Sequence, residues 1–271
     1  MWATIVDRDG TVKTVVFSEQ VRDDQWPGSR VISAQKANTA NAFSLPGLAL
    51  PTANLFSAVQ PGGSLYGLQF SNPVATDVAY RGPATDFGTA KDPMVGHMAG
   101  GVNVFGGGLP LYDSAGKLVG ALGVSGGSSC ADHNIAWKVR HMLDLDNIPK
   151  GVSPTKDDNI VYDITNGTSV GGWSHPECAP AATRIAKELP KTSPIGPKKL
   201  TKNQPNDAGA SRTCSHAGAW EPESDSGNLT HQEPRKTRTN TSRSIPGAGM
   251  TISCLSAFFV DNECFCDQNA Q

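Results

Sequence analysis

Residues 101–143 read GVNVFGGGLPLYDSAGKLVGALGVSGGSSCADHNIAWKVRHML. This stretch decides the fold. Val102–Tyr112 and Lys117–Val124 are two β-rich arms around the turn Asp113-Ser114-Ala115-Gly116, with Asp at its first position and Gly at its last. In the second arm Leu118, Gly120 and Leu122 alternate with Val119, Ala121 and Gly123. Glycines inside a strand mark a close approach by something: a neighbouring backbone, a packed helix or a flat ligand.

The helix that follows has Ser128 or Ser129 as cap and Asp132 in its first turn, where a carboxylate suits the helix dipole. Ile135, Ala136, Val139 and Met142 form its expected apolar stripe. His133, Trp137 and His141 fall at i, i+4 and i+8 and share another face, half exposed on this reading. Two imidazoles flanking an indole suit a flat, metal-bearing ligand; two surface histidines account for the same pattern.

Upstream, Trp2–Asp7 and Thr11–Phe17 form a matching hairpin around Asp7-Arg8-Asp9-Gly10. Both hairpins are expected in one antiparallel sheet. A helix over Arg30–Phe43 carries a small-residue stripe of Ala34, Ala37 and Ala40, with Lys36 off the stripe. A short helix over Thr52–Gln60 and a strand over Leu65–Phe70 are expected next. Ser71–Gly100 has no clear period and reads as a long functional or assembly loop, carrying Arg81, Asp92, His97 and Met98. A His-Met neighbour pair invites iron ligation. Asn159–Ile164 reads as a short strand and Ala179–Leu189 as a helix.

The formal charge of −2, with 18% charged residues, gives no reason to expect nucleic acid or an anionic membrane as partner. No apolar run reaches about 18 residues, so no membrane span is expected. No signal-peptide pattern opens the sequence, so the cysteines are expected reduced and the location cytoplasmic. His175 and Cys178 have metal-ligand chemistry but no paired CxxC partner nearby. Gly123-Val124-Ser125-Gly126-Gly127 matches a nucleophile elbow in letters. The elbow belongs to a parallel sheet, and the preceding strand here pairs in a hairpin, so a hydrolase is not expected. Residues 1–196 are expected to form the folded domain. Residues 197–271 read as a low-complexity tail, disordered or an artefact of the gene model, because so few large apolar side chains cannot offset the entropy of ordering.

The blocks Gly106-Gly107-Gly108-Leu109-Pro110-Leu111 and Gly116–Gly127, with Asp132 opening a helix and Lys36-Ala37-Asn38-Thr39-Ala40 upstream, resemble the GlcG/HbpS-type haem-binding, or haem-degrading domain, family. The resemblance covers about residues 2–145. It implies an α/β (α+β) fold, a profilin-like three-layer α/β/α sandwich with a five-stranded antiparallel sheet. The helix that opens the family's domain is not expected here, because strand-like sequence follows Met1 directly. It also implies a homo-oligomer and, in some members, haem. On this reading haem is the cofactor, His133 its metal ligand, and Trp137, Gly106, Gly107, Gly108, Lys36 and His97 its further contacts. The resemblance thus implies a haem-binding protein that assists haem handling or degradation. The other reading is a non-catalytic oligomeric module that binds or senses a small metabolite. Whether the chain is an enzyme stays open, and no catalytic residue is assigned.

Overall fold

The computed structural model describes residues 1–196; the expected tail at 197–271, with Cys214, Cys254, Cys264 and Cys266, lies outside the described residues. Strands β1 (Trp2–Asp7) and β2 (Val12–Phe17) form the first hairpin, and β3 (Gly108–Tyr112) and β4 (Leu118–Ser125) the second. Both turns use one device. The Asp7 carboxylate accepts the N–H groups of Asp9 and Thr11, and the Asp113 carboxylate those of Ala115 and Lys117, all at 2.9–3.0 Å. The hairpins join through β1 and β4, with Trp2 opposite Ser125, giving an antiparallel sheet of order β2-β1-β4-β3.

Alternation along the strands builds two cores. Trp2, Val6, Val12, Val15 and Ala121 face helix α1 (Ser29–Phe43), which lays down Ala34, Ala37 and Ala40 as its sequence pattern requires. Ala3, Ile5, Leu109, Leu111, Leu122 and Val124 face helix α4 (Ser129–Met142) through Ala136 and Val139. Gly123 lets α1 approach: a Cβ there would stand 1.9 Å from the Ser33 carbonyl oxygen and 2.5 Å from the Ala37 nitrogen. The glycine-rich strand thus serves helix-on-sheet packing. Helix α5 (Pro180–Thr192) packs on the outer side of α4.

Several elements depart from the sequence reading. The sheet has four strands among the described residues, where the family resemblance implies five. After α4 the chain returns beside β3 for a single parallel bridge, Tyr112 to Asp146, before Pro149 and Pro154 interrupt any ladder. The expected strand at Leu65–Phe70 is a turn and the short helix α2 (Leu68–Ser71), because Gly67 adopts φ +87° and breaks an extended run. The expected helix at Thr52–Gln60 is two 3₁₀ turns, Thr52–Leu55 and Ser57–Val59, and the Ser57 N–H donates instead to the Ser174 carbonyl. Asn159–Asp163 joins no ladder; of the expected strand, Ile164 pairs, in Ile164–Thr165 (β5) against Thr168–Ser169 (β6).

The long 71–100 segment is tied down along its length. Besides the short helix α3 (Thr76–Ala79), it carries Asp92, which the Arg30 guanidinium of α1 grips in a bidentate pair at 2.5 and 2.8 Å with both side chains buried. Arg30 also donates to the Ala79 carbonyl and stacks 3.7 Å from the Phe87 ring centre.

Candidate functional site

A cleft of about 670 Å³ opens where the first turns of α1 and α4 meet beyond the end of β4. The sequence Ser125-Gly126-Gly127-Ser128 leaves the sheet there and delivers Ser129 and Asp132 to one wall. Ser29, Ile32 and Lys36 form the opposite wall. Trp26 and Phe105 stand at the cleft and are 74% and 47% exposed, unusual for such large side chains.

The cleft floor is an ion pair. The Lys36 ammonium donates to an Asp132 carboxylate oxygen at 2.7 Å and to the Val124 carbonyl at 3.0 Å. The other Asp132 oxygen accepts the Gly127 N–H at 2.8 Å. Both side chains are 2% exposed. Burial lowers the Lys36 pKa against the pull of Asp132, and raises that of Asp132 against the pull of Lys36. Beside this pair, the Ser129 hydroxyl accepts the Gly106 N–H at 2.6 Å and lies 2.8 Å from His175 Nε2. His175 Nδ1 is 2.7 Å from the Pro176 carbonyl, which can only accept, so Nδ1 carries the proton and Nε2 accepts from Ser129. Burial lowers the His175 pKa, which favours this neutral ring.

Of the residues expected to bind a ligand, Lys36 reaches the cleft. The glycines do not leave free space: a Cβ on Gly106, Gly107 or Gly108 would lie 2.3–2.4 Å from Ser129 O, Val124 O or Thr52 Cγ2 respectively. His133 and Trp137 correct the expectation of a half-exposed helix face. They are 0% and 1% exposed, ring centres 6.1 Å apart, and the Trp137 indole donates to the Ser193 carbonyl. Helix α5 and the segment after it cover that face, while Met142 of the expected apolar stripe is 52% exposed. Burial, with the Arg140 charge nearby, lowers the His133 pKa to about 3, against a smaller opposing pull from the Asn159 side chain. Arg140, one turn of α4 beyond Trp137, is buried in a bidentate pair with Asp158 at 2.5 and 2.7 Å. His141 faces Asp146 at the far end of α4, 2.6 Å away. His97 lies 3.3 Å from Arg81, and its carbonyl accepts from Val12, at the end of the β1–β2 hairpin remote from Ser125. Met98 beside it is exposed.

The cysteines also correct the sequence reading. Cys130 of α4 and Cys178 form a disulfide across 48 residues, so the argument for a reducing compartment from these thiols falls. Sequence reasoning also missed the Ser129–His175 contact, for which no local spacing gives a signal. Ser125 closes an antiparallel strand, so the nucleophile-elbow letters do not sit in elbow geometry.

The architecture is that of an α/β/α sandwich with a ligand-sized cleft between two helix starts. Residues 1–140 match the family described as "Haem degrading protein HbpS-like". The chain belongs to this HbpS-like family. It is 33% identical over 133 residues to an uncharacterised 15.0 kDa protein from the dhaT-dhaS intergenic region of Citrobacter freundii, covering 49% of this chain and 68% of that one. It is equally identical over the same length to the corrinoid adenosyltransferase PduO of Citrobacter freundii, and there it spans 29% of the relative. Among solved structures it is similar to Klebsiella pneumoniae protein ORFY, a DUF336 protein, at 30% identity and TM-score 0.33, covering 50% of this chain and 68% of that one. A PduOC:haem complex matches at 30% identity and TM-score 0.34, over 50% of this chain and 72% of that one. No helix among the described residues is long and apolar enough to cross a membrane.

Proposed function

We propose that this chain binds haem in the cleft between the starts of α1 and α4, as a haem-handling member of its family. The observation that carries the reading is the convergence on one cleft of Lys36, two helix starts and two exposed aromatic rings. A volume of about 670 Å³ is in the range of small-molecule sites. Trp26 and Phe105 offer faces to a porphyrin plane. The first-turn N–H groups of the two helices suit its propionates, while the Lys36 ammonium stays paired with Asp132 beneath them.

The fit is to the edges and faces of the macrocycle. Among the described residues lining the cleft there is no imidazole or thiolate for the iron. The reading therefore gives up His133 as metal ligand, and with it Trp137, His97 and the three glycines as direct contacts. Bound haem would supply a redox-active iron; the protein's residues would hold and shield it. A homo-oligomer belongs to the same reading. Its support is that Tyr66, Phe70, Tyr80 and Met98, all in or beside the long segment, are each more than half exposed. Light scattering at micromolar concentration reads it, and a monomer mass rejects it.

A second reading, a non-catalytic oligomeric module that binds or senses a small metabolite, draws on the polar cleft lining of Ser29, Ser125 and Ser129. Haem titration separates the two. A Soret shift is expected with the full chain, weakened at least tenfold by Trp26→Ala or Phe105→Ala. It is expected unchanged by His133→Leu and His97→Ala. A wild-type chain without a Soret shift rejects haem and leaves the metabolite reading. Loss of the shift in His97→Ala returns the iron ligand to the long segment.

A further inference from the structure

We propose that the Cys130–Cys178 pair and His175 form a redox-gated metal site, closed as the disulfide and open to a zinc-type divalent ion when reduced. The two sulfurs and an imidazole nitrogen of His175 all lie within 4.8 Å of one another. Cys130 is 0% and His175 5% exposed, and Cys178 is half-buried. Two segments supply the set: the first turn of α4 gives Cys130, and the loop leading into α5 gives His175 and Cys178.

The donor chemistry is that of zinc. Two thiolates and one imidazole form a Cys₂His set, which leaves a fourth tetrahedral position for water. His175 is prepared for the role. Its Nδ1–H is fixed by the Pro176 carbonyl at 2.7 Å, so Nε2 presents its lone pair. In the oxidised chain that lone pair is taken by the Ser129 hydroxyl at 2.8 Å, and metal binding would release it. Cys178 also lines a second cavity of about 340 Å³, with Thr183 and Glu177, so this member of the set is reached from solvent.

The chemistry balances simply. A dithiol reductant transfers two electrons and two protons to the S–S bond and leaves as its own disulfide. The two new thiols then lose two protons to solvent as the divalent ion binds two thiolates. Gating follows, because a disulfide sulfur is not a thiolate and the oxidised pair offers the ion only one imidazole. The site also borders the ligand cleft, since Ser129 precedes Cys130 and holds the Gly106 N–H.

The test uses the full chain with Cys214, Cys254, Cys264 and Cys266 changed to Ser, so that Cys130 and Cys178 are its only sulfur pair. Cobalt(II) alone is titrated anaerobically into the oxidised protein and into protein reduced with a phosphine. The reduced form is expected to bind one equivalent, with thiolate-to-metal charge transfer and the strong visible bands of tetrahedral cobalt. The oxidised form is expected to give neither. His175→Gln is expected to weaken binding at least tenfold, and Cys178→Ser to abolish the charge-transfer band. Absence of binding by the reduced protein overturns the proposal. So does equal binding in both redox states, or an unchanged cobalt spectrum in His175→Gln.

Discussion

The Lys36 ammonium and the Asp132 carboxylate, 96 residues apart in sequence, meet at 2.7 Å with each side chain 2% exposed. Lys36 belongs to α1 on one face of the sheet and Asp132 to α4 on the other. Their contact passes beyond the end of β4, where Lys36 also binds the Val124 carbonyl. The pair thus clamps the two helical layers and forms the floor of the cleft.

Removing one partner strands a buried charge. Asp132→Asn is expected to cost about 3–5 kcal/mol of unfolding free energy. The double variant Lys36→Met with Asp132→Leu is expected to lose clearly less than the two single changes added together, because neither charge is left alone. Urea titration of the four proteins reads the coupling. Additive losses would show that the pair does not clamp the layers.

His133 makes stability depend on acid. Its folded pKa, about 3, lies below the ordinary value of 6.5, so between these values the folded chain binds fewer protons than the unfolded one. Stability from this group is present above pH 6.5 and is lost as pH falls toward 3. The loss from pH 7 to 4 is about 3 kcal/mol for one such group. His133→Leu is expected to remove that part of the slope. Denaturant midpoints measured across pH 4–7 decide it; an equal slope in wild type and variant counts against the buried neutral ring.

Gly123→Ala is expected to push α1 away from the sheet. The new methyl would fall 1.9 Å from the Ser33 oxygen, a backbone atom that cannot swing aside. The cost is expected at about 2–3 kcal/mol or more, read as a lower melting temperature. An unchanged melting temperature would mean that the helix is not seated so closely.

Asp92→Ala is expected to free the long segment from α1. Arg30 would lose its bidentate partner, and the N–H groups of Gly88 and Met94 would lose their acceptor. New proteolytic cuts are expected within 83–95 while the two hairpins stay protected. An unchanged cleavage pattern would show that other contacts hold the segment.

Much of this protein was legible in its sequence. Both hairpins follow from β-rich arms around Asp-led, Gly-closed turns, and α1 from its alanine stripe, because turn chemistry and periodicity are local. The close approach at Gly123 was one of the readings that the glycine pattern allowed. Cleft chemistry was legible only through Lys36 and the family resemblance.

Tertiary structure decided the rest. Period 3.6 placed His133 and Trp137 on one face of α4, but periodicity does not say whether a second helix covers that face, and α5 does. The fate of Lys36 depended on Asp132, that of Cys130 on Cys178, and that of Ser129 on His175, each partner at least 46 residues away. Such contacts form where chain segments converge in space, and no local spacing encodes them. A sequence fixes which side chains can be donors, acceptors or ligands; packing alone determines which of them meet.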